Sequence, residues 1–266
     1  MTKMRKMTKR PEAKTDKLAD EKAVILGVGV SSTPGDEVLR KIIGICRKKD
    51  FTKTFFIVTA NVEILMLAQN DENYRKVLNS ADLVTPDSVG VVWASDGKIK
   101  KRIAGRKITE ALLGEPGLKY FFLGGRNGVA KKMAEKYGGE WDQGHEDIEN
   151  QIKDPQINDR IIKKVNNFLP DVLFVVYGSP WESLWIWEHR NELKAKVAMG
   201  VGGTFDYLTG QTELPPVWAE KAGLEWLWRL FNEPRRISRI VSATVIFPFN
   251  VLMAKMRRLL HLDRSN

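Results

Sequence analysis

The sequence holds one cysteine, Cys46, and three histidines, His145, His189 and His261, which stand far apart. A single thiol excludes an intramolecular disulfide framework and a cysteine-rich metal site, and it fits a reducing compartment. No two aspartates stand two residues apart, so a paired-aspartate metal motif is missing and no metal or other cofactor is expected. No apolar run reaches the roughly 20 residues that cross a bilayer: the longest, from Ile240 to Ala254, is broken by Pro248 and Asn250. Met1 to Lys22 lacks the apolar centre of a secretory signal and is expected to be a disordered basic tail. Acidic residues are the minority. The resulting net charge of +10 suits an anionic partner, whether nucleic acid, a phosphorylated substrate or an acidic membrane surface.

What is present is an alternation. Five apolar, β-branched runs, Val24 to Val28, Phe55 to Val58, Tyr120 to Leu123, Leu173 to Tyr177 and Val197 to Val201, have the pattern of buried parallel strands. A weaker run, Ala81 to Val84, ends at Thr85-Pro86-Asp87. Between them, Glu37 to Arg47, Val62 to Gln69, Val129 to Tyr137, Asp159 to Phe168 and Trp185 to Leu193 carry helical spacing. The pattern predicts an α/β fold with a Rossmann-like parallel sheet flanked by helices. Trp141 to Pro155 is expected to be a long exposed loop. The chain divides on this reading into the tail 1–22, an α/β domain 23–224 and a basic amphipathic appendage 225–266.

In open parallel sheets ligands bind beyond the carboxyl ends of the strands. Those positions hold Thr59 and Asn61, Asp87 and Ser88, Gly124 and Gly125, Gly178 to Glu182, and Gly202, Gly203, Phe205 and Asp206. Gly124 to Gly128 could cradle a phosphate on a helix N-terminus, or could simply make a turn. Gly27-Val28-Gly29-Val30-Ser31-Ser32 falls short of a dinucleotide fingerprint, because serine takes the last glycine's place and no acidic residue ends the next strand. Asp87 fits either a helix N-cap or a base that accepts a proton from a hydroxyl. The histidines fit structural or exposed positions better than ligand positions. Trp181, Trp185, Trp187, Trp218, Trp226 and Trp228 crowd the second half and mostly suit packing.

Near the end, Arg229, Arg236 and Arg239 are spaced to share one helical face. A solvated basic face is one reading. The apolar flank from Ile240 to Leu260 favours another, a helical appendage lying on an anionic membrane.

The succession Val58-Thr59-Ala60-Asn61, Thr85-Pro86-Asp87-Ser88-Val89-Gly90, Phe121-Phe122-Leu123-Gly124-Gly125, Val201-Gly202-Gly203-Thr204-Phe205-Asp206 and Gly223-Leu224-Glu225-Trp226-Leu227 resembles the WecG/TagA/CpsF glycosyltransferases, from about Val24 to Arg239. The resemblance implies an inverting, metal-independent transferase without a cofactor. It would use a UDP-sugar donor, often UDP-N-acetylmannosamine, and a polyprenyl-diphosphate-linked acceptor. It implies Asp87 as base, Thr59 and Asn61 as polar residues of its pocket, and Arg229, Arg236 and Arg239 as closing the site at the membrane. Arg102, Gly124, Gly125, Gly178, Glu182, Gly202, Gly203, Phe205 and Asp206 are then expected to bind substrate. The expected location is cytoplasmic, peripheral at the inner face of the plasma membrane, with no nucleic-acid partner and with a homo-oligomer left open. The chain departs from the family's usual pattern at Arg106-Lys107, where Ser-Asp is usual, at Trp181-Glu182-Ser183, where Lys-Gln-Glu is usual, and at Leu214. Those departures leave open another UDP-hexose or UDP-hexuronic acid donor, and a non-catalytic binding protein of an envelope complex.

Overall fold

The structure, a computed structural model, describes residues 21–213, Pro216, Ala219 and 242–262. Arg229, Arg236, Arg239 and the expected domain boundary at 224 lie outside the described residues, as does nearly all of the basic tail.

Strands β3 (Phe55–Ala60), β4 (Leu83–Pro86), β5 (Tyr120–Gly124), β6 (Glu140–Asp142), β7 (Val172–Val176) and β8 (Val197–Gly200) form one six-stranded sheet in the order β4-β3-β8-β7-β5-β6. Every pairing is parallel. Side chains of a strand alternate between faces, and here both faces are buried. Phe56, Val58, Phe121, Leu123, Leu173 and Val175 enter one core, and Ile57, Tyr120, Phe122, Val172, Phe174 and Met199 enter the other. This double burial is why the strands are continuous apolar runs rather than alternating ones.

The first core is covered by α2 (Val62–Asn70), α3 (Glu72–Asn79), α8 (Pro155–Phe168) and α9 (Trp181–His189), and the second by α1 (Gly35–Cys46), α5 (Gly105–Leu113), α6 (Val129–Tyr137) and α10 (Thr204–Leu208). In α1, Val38, Ile42 and Cys46 recur at four-residue spacing on the buried side. Burial pushes the Cys46 thiol up to about 12, so it acts as a small apolar side chain rather than a nucleophile. Helix starts are fixed locally: Asp71 accepts from Asn73 N and Tyr74 N to begin α3, and Asp154 accepts from Gln156 N and Ile157 N to begin α8 at Pro155. Short α4 (Val89–Ala94) follows β4, short α7 (Ile148–Gln151) precedes α8, and α11 (Phe247–Leu262) follows a π-helical turn.

Two expectations are corrected. The run Val24 to Val28 is not a parallel strand. It is split between β1 (Lys22–Ile25) and β2 (Val28–Ser31), an antiparallel hairpin forming its own small sheet. The turn is Leu26-Gly27, with φ of 46° and 80°, the two positive values that a tight twisted hairpin turn needs. Asn79 clamps it, donating to Gly27 O at 2.8 Å and accepting from Gly29 N at 3.0 Å. Trp141 to Pro155, expected to be a loop, contains the end of β6 and all of α7. Asp142, nearly buried, accepts from Arg160 at 2.6 Å, and this anchors a strand too short to announce itself in the sequence.

Candidate active site

Neighbouring strands β3 and β8 lead into helices on opposite faces, α2 on one and α10 on the other. A crevice opens where adjacent strands diverge in this way. On its β3 side, β4 runs in register with β3, pairing Ala60 with Pro86, so Asn61 and Asp87 follow side by side. Asp87 N donates to Ala60 O at 2.8 Å and Ile103 N donates to Pro86 O at 2.7 Å. The first bond ties the end of β4 to the end of β3, and the second holds it against the segment that leads into α5.

Asp87 does cap a helix, but not the one that follows it. Its Oδ1 accepts from Gly105 N at 2.7 Å, the first residue of α5. The N-cap position of α4 belongs to Ser88, whose side chain makes no cap bond and whose Oγ is buried without a hydrogen-bond partner. Gly105 is buried, and a Cβ there would come within 2.9 Å of Thr59 Oγ1. The bare α-carbon therefore lets Thr59, Asp87 and the amino end of α5 converge. Asn61 Oδ1 is committed to Ile64 N at 3.0 Å as the N-cap of α2. Arg102 and Lys107 line a cleft of about 320 Å³ between the amino ends of α1 and α5, together with Asp36 and the backbone near Gly35 and Ala104.

The rest of the rim is built by close backbone approach. Gly124 and Gly125 both have φ of 87°. A Cβ on Gly124 would strike the Tyr177 ring at 2.6 Å, and one on Gly125 would strike Val129 at 2.2 Å. Turn and packing alone thus require these two glycines, whatever they bind. Tyr177 is held by His145, whose Nδ1 lies 3.0 Å from the phenol oxygen; burial pushes the phenol above its ordinary range and the imidazole below its own. His145 and His189 are both buried, and their positions are structural.

Glu182 is 5% exposed. One carboxylate oxygen accepts from Gly178 N at 3.1 Å and from Gly202 N at 3.2 Å, tying the loop after β7 to the loop after β8. Gly200 gives it room, since a Cβ there would lie 2.5 Å from Glu182 Cδ. Burial raises the Glu182 carboxyl to about 7, opposed by the two amide bonds and assisted by the charge of Glu63. Gly203 is exposed and Asp206 half-buried on the opposite side of the crevice, and the Asp206 carbonyl accepts from Gln211 N and Thr212 N.

Phe205 has no exposed surface. Its ring meets Phe122 and Phe174 edge-on, with centroids 5.5 Å and 5.8 Å away, so it supports the loop from beneath and its side chain presents nothing to a ligand. Phe205→Ala should cost about 3–5 kcal/mol, read as a lower midpoint in urea, and Phe205→Leu should keep donor affinity. The structure thus brings Thr59 and Asp87 together at one end of the crevice, with Arg102 in the cleft at the amino end of α5. It makes supports of Phe205 and Glu182. Gly105 and Gly200, which sequence reasoning missed as site residues, have ordinary φ and no local signature; only the side chains stacked over them reveal the need for glycine.

Against known proteins, residues 23–260 match the model of the glycosyl transferase WecG/TagA/CpsF family. The chain is 30% identical over 250 residues to an N-acetylglucosaminyldiphosphoundecaprenol N-acetyl-beta-D-mannosaminyltransferase of Staphylococcus aureus strain MRSA252, covering 89% of this chain and 94% of that protein. Proteins of the same name from Bacillus spizizenii strain W23 and Bacillus subtilis strain 168 are 34% and 32% identical, covering 73% and 70% of this chain and 77% and 75% of theirs.

Proposed function

Since the chain belongs to the glycosyl transferase WecG/TagA/CpsF family and is a glycosyltransferase, we propose that it moves N-acetylmannosamine from UDP to a polyprenyl-diphosphate-linked acceptor in cell-envelope polysaccharide synthesis. The names of its relatives support the sugar and the acceptor. The observation that carries the chemistry is the placement of Asp87: a half-buried carboxylate at a strand end, fixed by Gly105 N and set beside Thr59.

The reaction is a single displacement. Asp87 takes the proton of an acceptor hydroxyl, whose oxygen attacks the anomeric carbon as the bond to UDP breaks, inverting the configuration. Gly105 N fixes the carboxylate, so its orientation need not be found during the reaction. The departing diphosphate needs positive charge and amide donors in place of water. Arg102 supplies charge from the cleft beside Asp87, the strand-end amides supply donors, and Arg229, Arg236 and Arg239 are proposed to complete the set. The acceptor's lipid places the enzyme peripherally at the inner face of the membrane.

Lys107, which lines the cleft with Arg102 where the family usually carries an aspartate, favours a second reading in which the donor is another UDP-hexose or a UDP-hexuronic acid. A donor panel offered with a water-soluble GlcNAc-diphosphate acceptor separates the two. UDP-N-acetylmannosamine is expected to give the highest kcat/KM; a uronic acid donor outperforming it would transfer the assignment to the second reading.

A further inference from the structure

We propose that α4 and the basic loop after it form a lipid-contacting surface, which lays the crevice on an anionic bilayer together with α11. The inference rests on the membrane-bound acceptor of the preceding section and names the surface that meets the lipid.

Val89 and Trp93 of α4 are 52% and 55% exposed, and Phe249, Leu252 and Met256 of α11 are 60%, 54% and 43% exposed. Large apolar side chains gathered on one surface mark an interaction site rather than ordinary surface. On α11 the exposed positions share one stripe, while Phe247 and Val251, on the other side, are buried in the first core. The two helices adjoin. Lys255 lies over the Trp93 ring at 5.4 Å and pairs with Asp96 at the end of α4, and Gly90 passes close to the Phe247 ring.

The fringe is basic. Lys98, Lys100 and Lys101 follow α4 and are exposed, as is Arg257 on α11, and Asp96 within the fringe is already paired. An apolar ridge carrying a tryptophan and bordered by cations fits the headgroup region of an anionic membrane, where indole rings settle and each nearby cation adds attraction. Its place in the chain gives it a consequence. The segment 88–101 is bracketed by Asp87 and Arg102, so contact with lipid through this segment holds both residues at the depth of a membrane-borne diphosphate.

The test is co-sedimentation of the full-length protein with phosphatidylcholine vesicles, with and without phosphatidylglycerol. Three variants are compared: Val89→Ser with Trp93→Ser; Lys98→Gln with Lys100→Gln and Lys101→Gln; and Phe249→Ser with Leu252→Ser. All change exposed side chains, and unchanged melting temperatures confirm intact folds. Each is expected to weaken binding to anionic vesicles by at least about tenfold, and the lysine variant to lose most of its preference for phosphatidylglycerol. Turnover of a water-soluble acceptor should stay at the wild-type rate. If both α4-segment variants bind as wild type while the α11 variant does not, this surface is not the contact. If all three bind as wild type, the membrane surface lies elsewhere altogether. Wild-type protein that binds vesicles but turns over no soluble acceptor would overturn the transferase reading and leave the surface standing.

Discussion

Asp87→Asn is expected to lower kcat by about a thousandfold, within the range that a positioned base contributes, with little change in KM. The reason lies in what the substitution keeps. Asparagine retains a side-chain oxygen for Gly105 N, so the start of α5 and its packing under Thr59 survive. What is lost is the capacity to take the acceptor proton. Asp87→Ala removes the cap as well and should add about 1 kcal/mol of instability, which makes asparagine the cleaner probe. The readout is steady-state transfer to a soluble acceptor, with UDP affinity measured separately by calorimetry. Unchanged affinity with lost turnover assigns Asp87 to the chemical step; a rate within a few fold of wild type would remove it from the base role.

Glu182→Gln is expected to stabilise the protein at pH 8 and leave it nearly unchanged at pH 4.5. The folded carboxyl titrates at about 7, above the ordinary carboxyl value of 4.5, chiefly because burial disfavours the charge. A group whose pKa is raised on folding contributes stability that is full below the unfolded pKa and is lost as pH climbs through the folded one. The window therefore runs from 4.5 to about 7. The shift corresponds to about 3 kcal/mol at its upper bound. Glutamine carries no charge and keeps an oxygen for Gly178 N and Gly202 N, and it is the residue the family usually holds in this position. Denaturant midpoints of the two proteins should converge toward pH 4.5 and separate above pH 7. Parallel curves would show that Glu182 is not the buried acid described here.

The two residues also show how far the sequence could be read. Strand ends are legible because a buried parallel strand is an unbroken apolar run, and Thr59, Asn61 and Asp87 are the polar residues that stand where such runs stop. The direction of a side chain after the strand is set by packing between distant segments. Glu182 turns inward because Gly200 leaves room for it, and Phe205 because Phe122 and Phe174 wait beneath. Neither contact is local. The same limit hid the first hairpin: its turn uses leucine rather than asparagine or aspartate before Gly27, so one run of apolar residues looked like one strand. Asp87 was legible as a cap or a base, and the structure shows a cap on α5, across the fold, which the chain order does not suggest.

The most direct test of the central claim, a single displacement at the end of β4, is the anomeric configuration of the product. Purified protein, an α-linked UDP-N-acetylmannosamine donor and a soluble GlcNAc-diphosphate acceptor are incubated, and the new linkage is read by nuclear magnetic resonance. A single displacement gives a β-linked disaccharide. An α-linked product would mean net retention, which a single in-line displacement cannot give, and would contradict it.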